Sequence, residues 1–108
     1  VILTSNLARE AAQRIVGFDV DLGRLIASRG NHVHTVRHGL LSFPVKQYEW
    51  ASPNLRIIER SARELLELVG SAKTLLPRPG CGEGELPWDE VAKVLQFLPD
   101  NVIVIPQR

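Results

Sequence analysis

Apolar residues change their spacing repeatedly along this chain, and each change marks an element. Residues 1–3 form a short apolar run with β-branched members, suited to a buried strand, and the loop and capping types Thr4, Ser5 and Asn6 follow. Leu7, Ala8, Ala11, Ala12, Ile15 and Val16 recur at helical spacing, with Gly17 as a stop. A second helix, capped by Asp19 or Asp21 and carrying Leu22, Leu25 and Ile26, closes at Gly30. From His32 the period becomes two: Val33, Thr35 and Arg37 face one way, and His32, His34, Val36 and His38 the other. Leu40, Leu41, Phe43 and Val45 read as a further strand, limited by Pro44, which cannot donate to a ladder.

The clearest signal is a helix opening at Ser52-Pro53 and running to about Val69. Leu55, Ile58, Ala62, Leu65, Leu66 and Val69 make one stripe, while Arg56, Glu59, Arg60, Arg63, Glu64 and Glu67 lie largely outside it. A strand over 73–76, a Pro- and Gly-rich loop over 77–84, a helix over 88–98 and an apolar strand over 102–105 complete the chain. Pro87, Asp89 and Glu90 suit the start of that last helix, where the peptide dipoles favour negative charge. Strands apolar on both faces that alternate with helices predict an α/β fold: a mostly parallel, mixed sheet with helices on both faces, three layers deep. Residues 1–108 are expected to form a single domain.

Composition narrows the picture. With 108 residues, 44% hydrophobic and 23% charged, the chain can bury a core without a structural metal. One cysteine, Cys81, excludes an internal disulfide framework. No apolar run reaches the ~20 residues of a membrane helix, and no charged start precedes a greasy stretch, so a cytoplasmic protein with no membrane partner is expected. Thirteen Lys and Arg against twelve Asp and Glu leave a net charge of +1, which makes no electrostatic case for coating DNA.

The segment richest in chemistry is the glycine loop at residues 77–88. Glycines after a strand let backbone N–H groups approach a phosphate, and ligands of α/β sheets sit at the carboxyl ends of strands. The loop is neither a Walker A sequence nor a G-x-G-x-x-G fingerprint, so the residues alone leave phosphate binding and an ordinary tight connection both open.

The run Pro77-Arg78-Pro79-Gly80-Cys81-Gly82-Glu83-Gly84-Glu85-Leu86-Pro87-Trp88, continuing through Glu90-Val91, resembles the GCG loop and helix of macrodomains. The nearest subgroup holds the terminal ADP-ribose glycohydrolases and the antitoxin that reverses DNA ADP-ribosylation. Ser42-Phe43-Pro44-Val45-Lys46-Gln47-Tyr48-Glu49-Trp50 is similar to the antitoxin subgroup's "FP, x, K" segment, which ends in an aromatic before a long amphipathic helix. The resemblance covers roughly residues 33–105. It implies that Gly80, Cys81, Gly82, Glu83 and Gly84 wrap the diphosphate and distal ribose of ADP-ribose, that Lys46 is the catalytic lysine beside C1 of that ribose, and that no cofactor or metal is needed. A lysine can act there as nucleophile or as electrostatic catalyst. The position where the glycohydrolases carry an aspartate is Gly84, which favours the antitoxin-like pattern, and with it a toxin as partner. The family's glycine-rich loop after the first strand has no counterpart here, because Ser5-Asn6-Leu7 runs directly into the predicted helix. Asn6 is then the remnant of the ribose-binding asparagine, and either the loop has been lost, which counts against hydrolysis, or the chain is broken near Asn6, with a Cα step longer than the ordinary ~3.8 Å.

Other residues carry two readings each. Arg78 is a phosphate partner or an ordinary surface arginine. Cys81 is better read as packing than as a nucleophile, since no base accompanies it. Tyr48 and Trp50 could stack on an adenine or another nucleobase, or cover the edge of the core; Trp88 belongs with the core. His32, His34 and His38 could hold zinc if they share a strand face. The expected function is ADP-ribose binding with hydrolysis of ADP-ribose from modified DNA or protein. The alternatives are a non-catalytic ADP-ribose-binding module and a histidine-metal hydrolase.

Overall fold

The computed structural model describes residues 2–3, 14–37, 39–48, 50–81 and 85–106, with backbone alone for Ile2 and Leu3. The first predicted helix falls almost wholly outside these residues, as do Asn6, the chain break expected beside it, His38, Gly82, Glu83 and Gly84. The described elements are strand β1 (Ile2–Leu3), helix α1 (Phe18–Arg29), strands β2 (His34–Arg37) and β3 (Leu40–Ser42), helix α2 (Leu55–Val69), strand β4 (Thr74–Pro77), helix α3 (Trp88–Val94) and strand β5 (Val102–Ile105). They make a small compact α/β protein.

Strand order is β1-β3-β2 in one sheet and β4-β5 in another. β1 runs parallel to β3, β2 antiparallel to β3, and β4 parallel to β5. β1 also lies alongside β4, which brings the two sheets together. The β2–β3 register slips between Thr35 and Arg37, so the strict alternation expected from His32 onward does not hold across the strand. Pro77 is the last residue of β4 rather than the first of a loop; at a strand end its missing N–H costs the ladder little.

Each helix starts or stops by a device other than the expected one. α1 is preceded by Gly17 in the left-handed conformation (φ 79°), which places Asp19 and Asp21 inside the first turn instead of at the cap. α2 is capped by Asn54, whose side-chain oxygen accepts from the N–H groups of Arg56 and Ile57, so the helix begins after Ser52-Pro53. α3 ends at Val94 and passes into tight turns, with Leu98 N–H bonded to the Leu95 carbonyl. Leu98 precedes Pro99, and the residue before a proline is pushed out of helical conformation.

The core follows from the periodicity of α2. Ile58, Ala62 and Leu65 pack with Phe43 and Val45 beyond β3, Leu76 of β4, Val102 of β5, and Val91 and Leu95 at α3. One apolar cluster therefore ties both sheets to α2 and α3. Phe18 is also fully buried but lies outside this cluster, where α1 meets β2. Among the described residues no helix is long and apolar enough to cross a membrane.

Candidate functional site

Lys46 sits on the segment that leaves β3, and the main chain there is tightly held. Phe43 and Val45, both 2% exposed, anchor the segment in the core. Three consecutive carbonyls then find donors from three places. Ser61 Oγ on α2 donates to Pro44 O (2.7 Å), the Asn54 N–H to Val45 O (2.8 Å), and Asn31 Nδ2 to Lys46 O (2.9 Å). A carbonyl in a partly buried loop needs such partners, and here each partner also fixes direction. The Lys46 side chain is half-buried.

Beyond Lys46 the chain reaches the surface. Tyr48 and Trp50 stack on each other with ring centroids 5.1 Å apart and planes within 5°. Trp50 is 84% exposed, so the pair does not cover the core edge.

The glycine turn lies against the start of α2 and the proline that precedes its cap. Gly80 adopts φ 72°, and a Cβ there would stand 2.9 Å from Ile58 Cδ1 and 3.2 Å from Pro53 Cβ. Both the left-handed backbone and the close approach of α2 therefore require glycine. The Gly80 carbonyl accepts from Leu86 N–H (2.8 Å), which closes the loop between them. Since Pro53 adjoins Asn54, which bonds Val45 O, the turn after β4 and the lysine segment after β3 share one wall.

Arg78 and Cys81 flank the turn. The Arg78 N–H donates to Ile105 O (3.0 Å), and its guanidinium lies over the Trp88 ring, 4.5 Å from the centroid. Trp88 is thus half-buried beneath an arginine while also packing against the core. Cys81 packs against the core and points its Sγ at Pro79 O (3.5 Å). Burial pushes its thiol up, with Arg78 opposing in part, a setting that disfavours the thiolate. Neither Lys46 nor Arg78 has a carboxylate partner among the described residues.

The histidines are engaged separately. His32 Nδ1 bonds Glu64 Oε2 (2.7 Å), His34 Nε2 bonds the Gly30 carbonyl (2.8 Å), and their rings meet edge-on with centroids 6.4 Å apart. Among the described residues no group of three or more His, Cys, Asp or Glu side chains converges as a metal site does. The structure thus gathers Gly80, Arg78 and Cys81 at the turn after β4, with Trp88 under Arg78, while Lys46 lies on the segment after β3. α3, the helix after the glycine loop, has only seven residues and no side-chain cap, so the anion-favouring helix start expected there is weakly developed.

Sequence reasoning missed Asn31, Asn54 and Ser61. Ser61 alone left a trace: a polar residue at the edge of the apolar stripe, flanking Ile58 and Leu65, must find a partner when buried. The chain matches no family model, no curated protein and no solved structure with which it was compared.

Proposed function

We propose that this chain is a macrodomain-like, three-layer α/β/α domain that binds ADP-ribose and hydrolyses it from modified DNA or protein. The observation that supports the reading is the pinned main chain at Lys46, together with a turn after β4 that strongly favours glycine at Gly80. In that arrangement Gly80 and its neighbours offer backbone N–H groups to a diphosphate, and Arg78 supplies a positive charge near it. The carboxyl ends of β3 and β4 lead into these two segments, the place where α/β sheets bind ligands.

Hydrolysis at C1 of the distal ribose breaks the bond to the modified group. As nucleophile, the Lys46 amine gives its electron pair to C1 while the departing group leaves with the bonding pair and takes up a proton. Water then adds its oxygen to C1 and returns the amine. Cys81 is given no part in this step: its Sγ is directed at Pro79 O, and burial pushes its thiol up.

Isothermal titration with ADP-ribose, with AMP as control, tests the binding. Micromolar ADP-ribose affinity and much weaker AMP affinity support the reading; no binding removes it. Lys46→Ala is expected to retain ADP-ribose affinity within severalfold and to lose at least about 100-fold in turnover of an ADP-ribosylated substrate. A wild-type protein that binds yet never turns over is instead a binding module.

A further inference from the structure

We infer that Asn31 is a positioning residue for Lys46, itself fixed by Arg60 and Glu64 of α2; the inference rests on reading Lys46 as the catalytic group. Pro44 O and Val45 O are bonded from α2 and its cap, contacts that any segment lying on that helix could make. Lys46 O is different, because its donor is a side chain from the connection between α1 and β2, fifteen positions earlier. This bond restrains the backbone torsion immediately after the Lys46 Cα. It is also the last anchor before the chain emerges at Gln47, Tyr48 and Trp50.

Asn31 can do this because its own main chain is held. Arg60 Nη2 donates to Asn31 O, Glu64 Oε1 accepts from Val33 N–H (2.9 Å), and Glu64 Oε2 accepts from His32 Nδ1 (2.7 Å). Arg60 and Glu64 stand one helical turn apart, with Arg60 Nε 3.8 Å from Glu64 Oε2. Two polar side chains of α2 thus bracket residues 31–33, and the Asn31 amide projects from that bracket to the lysine. The same helix sends its apolar face into the core. Burial of α2 and placement of Lys46 are therefore mechanically linked.

Asn31→Asp keeps the shape and removes the donor. Turnover of an ADP-ribosylated substrate is expected to fall about 10- to 100-fold in kcat, the scale of a small misplacement of a reacting group, with KM and ADP-ribose affinity within about threefold. Asn31→Gln, which keeps the amide, recovers part of the loss. Arg60→Met gives a smaller fall that is less than additive with Asn31→Asp. Neither substitution lowers the residual rate of Lys46→Ala further. Asn31→Asp with wild-type kcat overturns the inference alone. So does a loss of ADP-ribose binding that parallels the folded fraction in Asn31→Asp and Asn31→Gln alike, since that marks a merely structural role. A wild type that binds ADP-ribose without turnover overturns the catalytic reading and the inference with it.

Discussion

The helices α1 and α2 are held to the molecule in different ways. α2 buries five of its fifteen residues, Ile57, Ile58, Ser61, Ala62 and Leu65, and both sheets close on it. α1 buries Phe18 alone among its twelve. It leaves Val20 and Ile26 exposed and is tied to β2 by Arg37, which bonds Asp21 Oδ2 (3.0 Å) and the Val16 carbonyl. Gly17 accommodates that arginine, since a Cβ there would stand 2.9 Å from its Nη2. One helix is anchored by apolar area and the other by a polar tether. The first arrangement resists global unfolding; the second permits local opening, because an exposed ion pair contributes little.

Truncating the buried anchor breaks the contrast most severely. Leu65→Ala should cost about 2–5 kcal/mol in denaturant unfolding, from lost transfer energy and the cavity left between α2 and the sheets. A cost below 1 kcal/mol would mean that α2 does not organise the core. Gly80→Ala comes next, at about 2 kcal/mol, because it forces a side chain into left-handed backbone and against Ile58. ADP-ribose affinity should fall with it if the turn is part of the binding site. The smallest effect is expected from Arg37→Met, under about 1 kcal/mol in global stability. Hydrogen exchange sharpens that case: α1 amides should exchange faster while those of α2 keep their protection.

The two helices also differ in how far they could be read from the sequence. α2 was legible because its apolar stripe repeats for four turns; Ile58, Ala62 and Leu65 of that stripe are buried and Leu55, Leu66 and Val69 partly so, while Ile57 and Ser61 extend the buried face at its edge. α1 was found by its terminating Gly30, yet its start was misplaced, since a left-handed Gly17 leaves no side-chain signature to distinguish a stop from a cap. The overrun of α3 had its warning in Pro99, one residue past the predicted end. For the site, Lys46 and Gly80 stood out through motif resemblance, and the structure adds a local reason for glycine at 80. Asn31 could not be read at all. Its bond to Lys46 depends on a bend meeting a loop fifteen residues on, and no periodicity encodes such a meeting.

The stacked rings of Tyr48 and Trp50 give the protein a built-in optical probe. Of its two tryptophans, Trp88 is half-buried beneath Arg78, whereas Trp50 stands in solvent four residues past Lys46. Iodide or acrylamide in solution therefore quenches mainly Trp50, and its emission registers the polarity of water. Any molecule that settles over the exposed indole face changes that quenching without a label, so occupancy of this surface can be followed in the unmodified chain.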